Sequence, residues 1–346
     1  MAPAVTLVTG ATGHLGANLV RRLLLDGNRV RILLRPQHDG RAVDGLDVER
    51  AYGDIRDRSS LDAAMHGCAR VFHCAAMISI TRGGEQEIYD TNVLGTRNVL
   101  AAAARAGVTR TVVTGSFSAV GHHPDRPSDE RDPFNPFLRA LPYERSKAAV
   151  EHECLKAVAE GQDVVIAISC AIIGPHDFKP SRMGRVIRDF ANGRMAAYIP
   201  GGFEFVAARD IVAGHLLAMD RGRSGQRYIF STEFVTVDTL MQWLEEITGK
   251  PRPRLRLPPA LMAAIAGVAS PVLSVVAPNR PQRLTPGAIH LLRMHRRADC
   301  TKAKQELGYE PTSVKDAVAE AYRWFAAQGE IKDVRAHTGA AHTRKA

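Results

Sequence analysis

Tyr143 and Lys147 stand four residues apart in a helically patterned stretch, so their side chains project from one face. A tyrosine of ordinary pKa, about 10, is a poor acid–base at neutral pH. A neighbouring ammonium favours the phenolate and brings proton transfer toward the working range. A second constellation opens the chain: Thr9-Gly10-Ala11-Thr12-Gly13-His14-Leu15-Gly16 lies between an apolar run, 5–9 (VTLVT), and a helically spaced one, 15–25. Glycines there permit a tight turn, close backbone approach to a pyrophosphate, and close helix–strand packing. The helix that follows offers free N–H groups to the anion. A bound dinucleotide beside a proton-transferring tyrosine is the chemistry these residues point to.

The run 29–34 (RVRILL) ends in Leu34, where an acid would accept from a ribose 2′-hydroxyl, and Arg35 follows it. A guanidinium suits a 2′-phosphate through charge-assisted paired bonds, so NADP(H) is expected over NAD(H). The other reading leaves Arg35 in water and places specificity elsewhere, for example at Arg41. His73, His122, His123 and His176 lack ligand spacing, and no metal is expected. The five cysteines are odd in number and scattered, with no C-x-x-C pair, and read as reduced, mostly buried thiols.

These groups need a scaffold. Strands are expected at 5–9, 29–34, 70–74, 110–114 and 164–169, with helices at 15–25, 91–106 and 143–159 between them. Such alternation implies βαβ units and a parallel sheet covered on both faces, an α/β fold. Prolines crowd 124–142, which suggests a long functional loop. After Gly174 the rhythm becomes irregular, 250–259 reads as a linker, and a last amphipathic helix is expected at 313–328. Residues 331–346 read as a disordered tail.

The chain has 346 residues, 24% charged and 45% hydrophobic, with a mean hydropathy of -0.14. Disordered, collagen-like, coiled-coil and disulfide-framework classes are excluded. The formal charge is +10, and residues 250–304 carry eleven Lys or Arg against Asp299 alone, the whole surplus. That segment is either a solvated face or the docking place of an acidic partner, a phosphate-bearing substrate or an anionic membrane. Nucleic acid is not expected, because no recognition motif or aromatic stacking series accompanies the charge. Residues 258–281 are apolar but broken at Pro271, and are flanked by Arg252, Arg254, Arg256, Arg280 and Arg283. They read as short helices closing a substrate pocket, or as a lid that also rests on an anionic membrane. No signal or transit segment fits the start of the chain, so a cytoplasmic monomer or homodimer is expected.

The glycine spacing G-x-x-G-x-x-G, written TGATGHLG, resembles the short-chain dehydrogenase/reductase superfamily, particularly its extended branch. Further landmarks follow in order: Gly53-Asp54, His73-Cys74-Ala75-Ala76, Asn92-Val93-Leu94-Gly95-Thr96, Tyr143-Glu144-Arg145-Ser146-Lys147, Gly174-Pro175 and Leu307-Gly308-Tyr309-Glu310-Pro311. The resemblance implies a Rossmann-type doubly wound parallel sheet with a smaller, mostly C-terminal α/β substrate-binding region. The cofactor domain would span 1–170, completed by about 205–232, and the substrate region 171–204 and 233–330. It implies cofactor contacts from Gly10, Thr12, Gly13, His14, Leu15 and Gly16, with Asp54 and Ile55 flanking the adenine. The backbone of Ala75 and Ala76 would lie under the cofactor, and Tyr143 and Lys147 would touch it, Lys147 through ribose hydroxyls.

Residues 114–121 (TGSFSAVG) resemble the family's T-S-S-x-x-A-V pattern, which aligns Ser116 with the catalytic serine. Gly115 replaces the first serine of the pair, and Ser118 stays a second candidate. Asn92 would hold a helix backbone and a water for proton relay, or merely cap its helix. Ser169 stands where relatives carry the proline that meets the nicotinamide carboxamide. Residues 30–35 and 172–175 look like dihydroflavonol-reductase and 3β-hydroxysteroid-dehydrogenase relatives, which act on hydrophobic, often polycyclic alcohols and ketones. A hydride-transferring ketone reductase or secondary-alcohol dehydrogenase is therefore expected, with Met77, Phe117, Ser118, Phe178 and Phe203 toward the substrate. Phe134, Phe137 and Tyr198 are further aromatic candidates. The alternatives are a nucleotide-sugar epimerase on retained NAD, which Leu34 and Arg35 disfavour, and a redox-sensing regulator, which the intact Tyr143 and Lys147 disfavour.

Overall fold

The computed structural model of the chain describes residues 4–37, 39–79, 84–135, 141–258 and 292–332. Its strands are β1 (Val5–Thr9), β2 (Arg29–Leu34), β3 (Glu49–Tyr52), β4 (Cys68–His73), β5 (Arg110–Ser116), β6 (Val164–Ser169), β7 (Ala171–Ile173), β8 (Ala197–Tyr198), β9 (Gly202–Ala207), β10 (Arg227–Phe230), β11 (Glu233–Thr236) and β12 (Leu255–Arg256). Seven of them pair in parallel in the order β3-β2-β1-β4-β5-β6-β10. All five residues of β1 are buried, as a parallel strand covered on both faces requires.

The helices are α1 (His14–Leu25), α2 (Arg58–Met65), α3 (Glu85–Tyr89), α4 (Gly95–Arg105), α5 (Pro142–Ala159), α6 (Arg182–Ala191), α7 (Ala208–Arg221), α8 (Val237–Thr248), α9 (Thr301–Leu307) and α10 (Val314–Ala327). Alternation along β1 sends its neighbours to opposite faces. Val8 packs in a cluster with Leu19 of α1 and Ile211 of α7, and Leu7 in another with Leu61 of α2 and Val99 of α4. The sheet is doubly wound. Strand order reverses beside β1, so the carboxyl ends of β1 and β4 open a crevice at the switch point.

A second core gathers Ile187 and Phe190 of α6, Phe205 of β9, Leu240 and Leu244 of α8, and Val318 and Phe325 of α10. The three-stranded sheet β11-β9-β7 lies with it, and β8 pairs with β12. The stretch after Gly174, irregular as a sequence, is thus mostly regular structure. Helix α7 hides its period because both sides are covered: Ile211, Val212, Gly214, His215, Ala218 and Met219 are all buried. The expected linker at 250–259 contains β12, whose two-residue pairing leaves almost no sequence signal. Ile331, assigned to the tail, is buried in the second core, and the Lys332 N–H donates to Asn192 Oδ1.

Strand β5 runs two residues beyond the expected Thr114, because Gly115 and Ser116 pair with Ile168 and Ser169 of β6. A Cβ on Gly115 would fall 2.9 Å from Ile166 Cγ2, so the strand passes there only as glycine. The expected helix at 91–106 enters as a π-turn, Asp90–Leu94, before α4. The loop 124–135 has no helix or strand and latches over β10: the Ile229 N–H donates to Glu130 Oε1 at 2.8 Å. It thereby covers the open edge of the large sheet. Cys68, Cys154, Cys170 and Cys300 are buried, and all five cysteines are free thiols. Among the described residues no helix is long and apolar enough to cross a membrane. The segment read as lid or membrane contact, with Arg280 and Arg283, lies outside the described residues, as does Phe137.

Candidate active site

At the carboxyl ends of β1, β5 and β6 a cavity of about 440 Å³ is lined by Gly10, Gly13, His14, Leu15, Gly16, Ala76, Ser116, Phe117, Ser118, Tyr143, Lys147 and Phe203. The two constellations of the sequence therefore meet in one hollow. A larger groove of about 1030 Å³ between α5, β10 and α9 holds Phe134 but none of the expected catalytic side chains.

Local sequence sets the catalytic helix. Pro142 occupies the first turn of α5, where its missing N–H costs nothing, and the Leu141 N–H donates to Glu144 Oε2 at 2.7 Å. Tyr143 follows at once, and Lys147 one turn on. Lys147 is buried, its Nζ donates to the Thr114 carbonyl at 2.8 Å, and burial pushes its pKa down to about 8. Thr114 is held in turn through its hydroxyl, 2.9 Å from His215 Nε2. Burial raises the Tyr143 pKa, while a hydrogen bond with the Ser116 side chain lowers it. The expected lowering by Lys147 is not what the protein alone provides, because the ammonium is turned to Thr114. Ser116 Oγ lies 2.8 Å from Ser118 Oγ, so both serine candidates face the cavity, but it is Ser116 that pairs with Tyr143.

Asn92 is fully buried outside the cavity wall. Its Oδ1 accepts from the Met77 N–H at 2.7 Å, and its Nδ2 donates to the Met77 carbonyl and to Ser146 Oγ. The Ser146 hydroxyl donates to the Tyr143 carbonyl. Asn92 thus ties the segment after β4 to α5, and its side chain is neither a cap nor a group facing Ser116 and Lys147. Behind it, His73 lies 2.7 Å from Thr9 Oγ1 and 3.0 Å from Thr96 Oγ1. Burial pushes the His73 pKa down to about 3, which keeps it neutral. This chain from β1 to α5 runs through His73, Thr96 and Ser146, for which the sequence suggested no role beyond their place in motifs.

The glycines divide by cause. Gly10 has φ 72°, and a Cβ there would meet Ala75 N at 2.6 Å. A Cβ on Gly16 would sit 2.2 Å from the Gly10 carbonyl oxygen. Gly13 is exposed and caps α1 with no side-chain hydrogen bond. His14 Nε2 meets the Pro175 carbonyl at 3.0 Å, its Nδ1 is buried without a partner, and burial lowers its pKa. Thr12 Oγ1 lies 3.5 Å from Lys179 Nζ.

The remaining candidates scatter. Leu34 is buried, Arg35 is exposed beside it, and the charge of Arg35 helps to lower the Asp54 pKa, after the larger effect of Arg56. Asp54 is bound by Arg56 at 2.8 Å, and Ile55 packs under Gly95. The Ala75 N–H donates to Thr9 Oγ1 at 3.3 Å. Met77 is held by Asn92, while its neighbour Ile78 reaches the cavity. Phe178 is misplaced as a substrate residue: its ring packs edge-on against Trp324 at 4.9 Å and under the Arg21 guanidinium, away from the cavity wall. Tyr198 donates its hydroxyl to Asp238 and belongs to the second core. Arg296 and Glu204 line the cavity unforeseen, Arg296 having been met only as one charge in a basic run.

Residues 6–230 match the NAD dependent epimerase/dehydratase family. The chain belongs to that family. It is 50% identical to "Sterol demethylase protein B" of Methylococcus capsulatus, over 94% of this chain and 99% of the relative. It is 37% identical to a Synechocystis protein provisionally named a dihydroflavonol 4-reductase, over 94% and 95% of the two chains. The crystal structure of gox2253 superposes with a TM-score of 0.83 at 33% identity, covering 95% of this chain and 100% of that one. The protein is an NAD(P)-dependent oxidoreductase of the extended short-chain dehydrogenase/reductase type. The glycine loop fits such a cofactor: Gly13 leaves the α1 amides open where a side-chain cap would close them, and no internal clash below 3.3 Å demands a glycine there.

Proposed function

We propose that the protein is an NADP(H)-dependent ketone reductase or secondary-alcohol dehydrogenase acting on a hydrophobic, ring-bearing small molecule. The observation that carries this reading is the meeting of Ser116, Tyr143 and Lys147 with the Gly10–Gly16 loop in one cavity. A bound nicotinamide would supply or accept the hydride at its C4. Tyr143 would give its phenolic proton to the carbonyl oxygen on reduction, or take the hydroxyl proton on oxidation. Ser116 would donate to the same oxygen and hold it beside the phenol. Lys147, anchored on Thr114, would hold the cofactor ribose and favour the phenolate once its charge faces the bound complex. Asn92 is assigned as a positioning residue that fixes Met77 and α5.

NADP(H) is preferred because the end of β2 offers buried Leu34 in place of an acceptor, with the Arg35 guanidinium next to it. The glycine loop from Gly10 through Thr12, Gly13, His14 and Leu15 to Gly16, with Asp54, Ile55, Ala75 and Ala76, is assigned to the rest of the cofactor. Phe117, Ser118, Phe203 and Ile78 give the substrate a mainly apolar wall, which suits the polycyclic compounds implied by the name of the 50% identical relative. We assign 1–170 and about 205–232 to the cofactor domain and 171–204 with 233–330 to the substrate region. A panel of cyclic ketones and secondary alcohols, followed by NADPH absorbance with the purified protein, tests the reading. Turnover with NADPH and ring ketones is expected. Tightly retained NAD and activity only on nucleotide sugars would replace it by the epimerase reading.

A further inference from the structure

Arg296 is half-buried on the segment before α9, and its side chain lines the cavity. That segment is pinned by its backbone on two sides. The Ser128 N–H donates to the Arg297 carbonyl at 2.8 Å, and the Asp299 N–H to the Ser128 carbonyl at 2.9 Å. The Ala298 N–H donates to Glu204 Oε2 at 3.0 Å. From this fixed base the Arg296 guanidinium stacks 4.7 Å over the Phe117 ring. Its Nη2 donates to the Phe117 carbonyl at 3.1 Å and to the Val120 carbonyl at 2.6 Å. Those carbonyls stand at the two ends of the single tight turn that follows Ser116, in which the Val120 N–H donates to the Phe117 carbonyl at 3.2 Å.

The turn sets the Ser116 hydroxyl. The Ser118 N–H donates to Ser116 Oγ at 3.3 Å, and the two serine hydroxyls lie 2.8 Å apart. A hydroxyl has one donor and two acceptor directions, so these contacts restrict how Ser116 meets Tyr143. Arg296 also acts on the other member of that pair. Glu144, next to Tyr143 in the first turn of α5, raises the Tyr143 pKa by its charge, and the same carboxylate acts on Arg296. A guanidinium there offsets the charge that opposes the phenolate. We propose that Arg296 is a positioning residue for proton transfer: its guanidinium closes the turn after Ser116, which keeps Ser116 Oγ on the Tyr143 hydroxyl, and its charge faces Glu144. This rests on the proposed role of Ser116 and Tyr143 as the pair that handles the proton.

The test reads the phenol itself. The other titratable groups lining the cavity are His14, Cys74, Lys147, Cys170 and Glu204, and none of them gives the ultraviolet absorbance of a tyrosinate. That absorbance is titrated in the full chain with saturating NADP, and the titration of the same protein carrying Tyr143→Phe is subtracted, which leaves Tyr143 alone. Arg296→Ala should move the Tyr143 midpoint to a proton concentration about three- to tenfold lower, the weight of one lost hydrogen bond. Arg296→Lys keeps the charge opposite Glu144 but gives up the planar stack on Phe117 and the reach to both carbonyls, so its midpoint should fall between the two. An unmoved midpoint in Arg296→Ala would overturn the proposal. A midpoint moved in Arg296→Ala and restored in full by Arg296→Lys would reduce the effect to charge and overturn the positioning role. If Arg296→Ala does not fold, Arg296→Lys decides: a midpoint moved to higher pH supports the role, and an unmoved one overturns it. The titration needs no substrate. Failure of every alcohol and ketone therefore touches the proposed activity, whereas an unmoved midpoint with turnover intact touches only Arg296.

Discussion

Ser116 and Ser118 both face the cavity, and their effects on Tyr143 separate them. Only the Ser116 hydrogen bond lowers the Tyr143 pKa against the burial that raises it. In alcohol oxidation, which needs the phenolate, kcat/KM rises with pH as Tyr143 loses its proton. Ser116→Ala removes the bond that favours the phenolate, so the rising limb moves to higher pH. Ser118→Ala leaves its position in place. A shift of the limb in Ser118→Ala alone would exchange the two assignments. Arg35 carries a similarly local prediction. Arg35→Asp removes the partner of a 2′-phosphate and offers an acceptor to a ribose hydroxyl, so the ratio of kcat/KM for NADPH to that for NADH should fall at least tenfold, on the order of one charge-assisted bond. An unchanged ratio would place cofactor choice elsewhere.

The turn between β1 and α1 allows a prediction on its own scale, because its glycines are there for different reasons. Gly16→Ala would drive a Cβ to 2.2 Å from the Gly10 oxygen and should prevent the helix from seating, seen as loss of the folded circular dichroism spectrum. Gly13→Ala meets that oxygen at 3.3 Å, a contact relieved by a small shift, so the protein should fold while its cofactor dissociation constant, measured by calorimetry, rises at least about tenfold. Gly13→Ala binding cofactor normally would remove the pyrophosphate from this turn. These elements were readable because β1, β2, β5 and β6 are short runs rich in Val, Ile, Leu and Thr, the most continuously apolar being β6 (VVIAIS), and α1 shows a clean helical period. Tyr143, Lys147 and the glycine loop were readable because each needs a fixed local spacing. Thr114, Ser146, His73 and Arg296 were not, since their partners lie 33 residues (Lys147 to Thr114), 54 (Asn92 to Ser146), 64 (Thr9 to His73) and 179 (Arg296 to Phe117) away along the chain. Phe178 misled for the same reason: an aromatic side chain in the right stretch of sequence turns to Trp324, and only the fold decides which way it faces.

The two cores are fastened to each other at the start of α7. Asp210 is buried, accepting from the Thr232 hydroxyl and from both the N–H and hydroxyl of Thr312, while Arg209 pairs with Glu320 of α10. A single calorimetric transition is therefore expected, moved upward as a whole by NADP, by about 2.7 kcal/mol at a hundredfold excess over Kd. Asp210→Ala strands those donors, costing about 1–3 kcal/mol for each one left buried and unpaired, and should leave a first transition that NADP no longer moves. A variant whose melt keeps one transition, fully shifted by NADP, would show that the cores are joined elsewhere. The charge surplus of 250–304 is also partly met by exposed pairs within the chain: Arg252 with Glu245 and Arg256 with Asp238. Cofactor loop, catalytic helix and apolar wall converge on one claim, that Tyr143 moves the proton while NADP(H) moves the hydride. The direct measurement is hydride transfer by Tyr143→Phe under single-turnover conditions, with NADPH binding measured on the same sample. Binding within about twofold of the wild type and a rate lowered at least ~10²-fold is the predicted result; a rate close to that of the wild type would contradict the account.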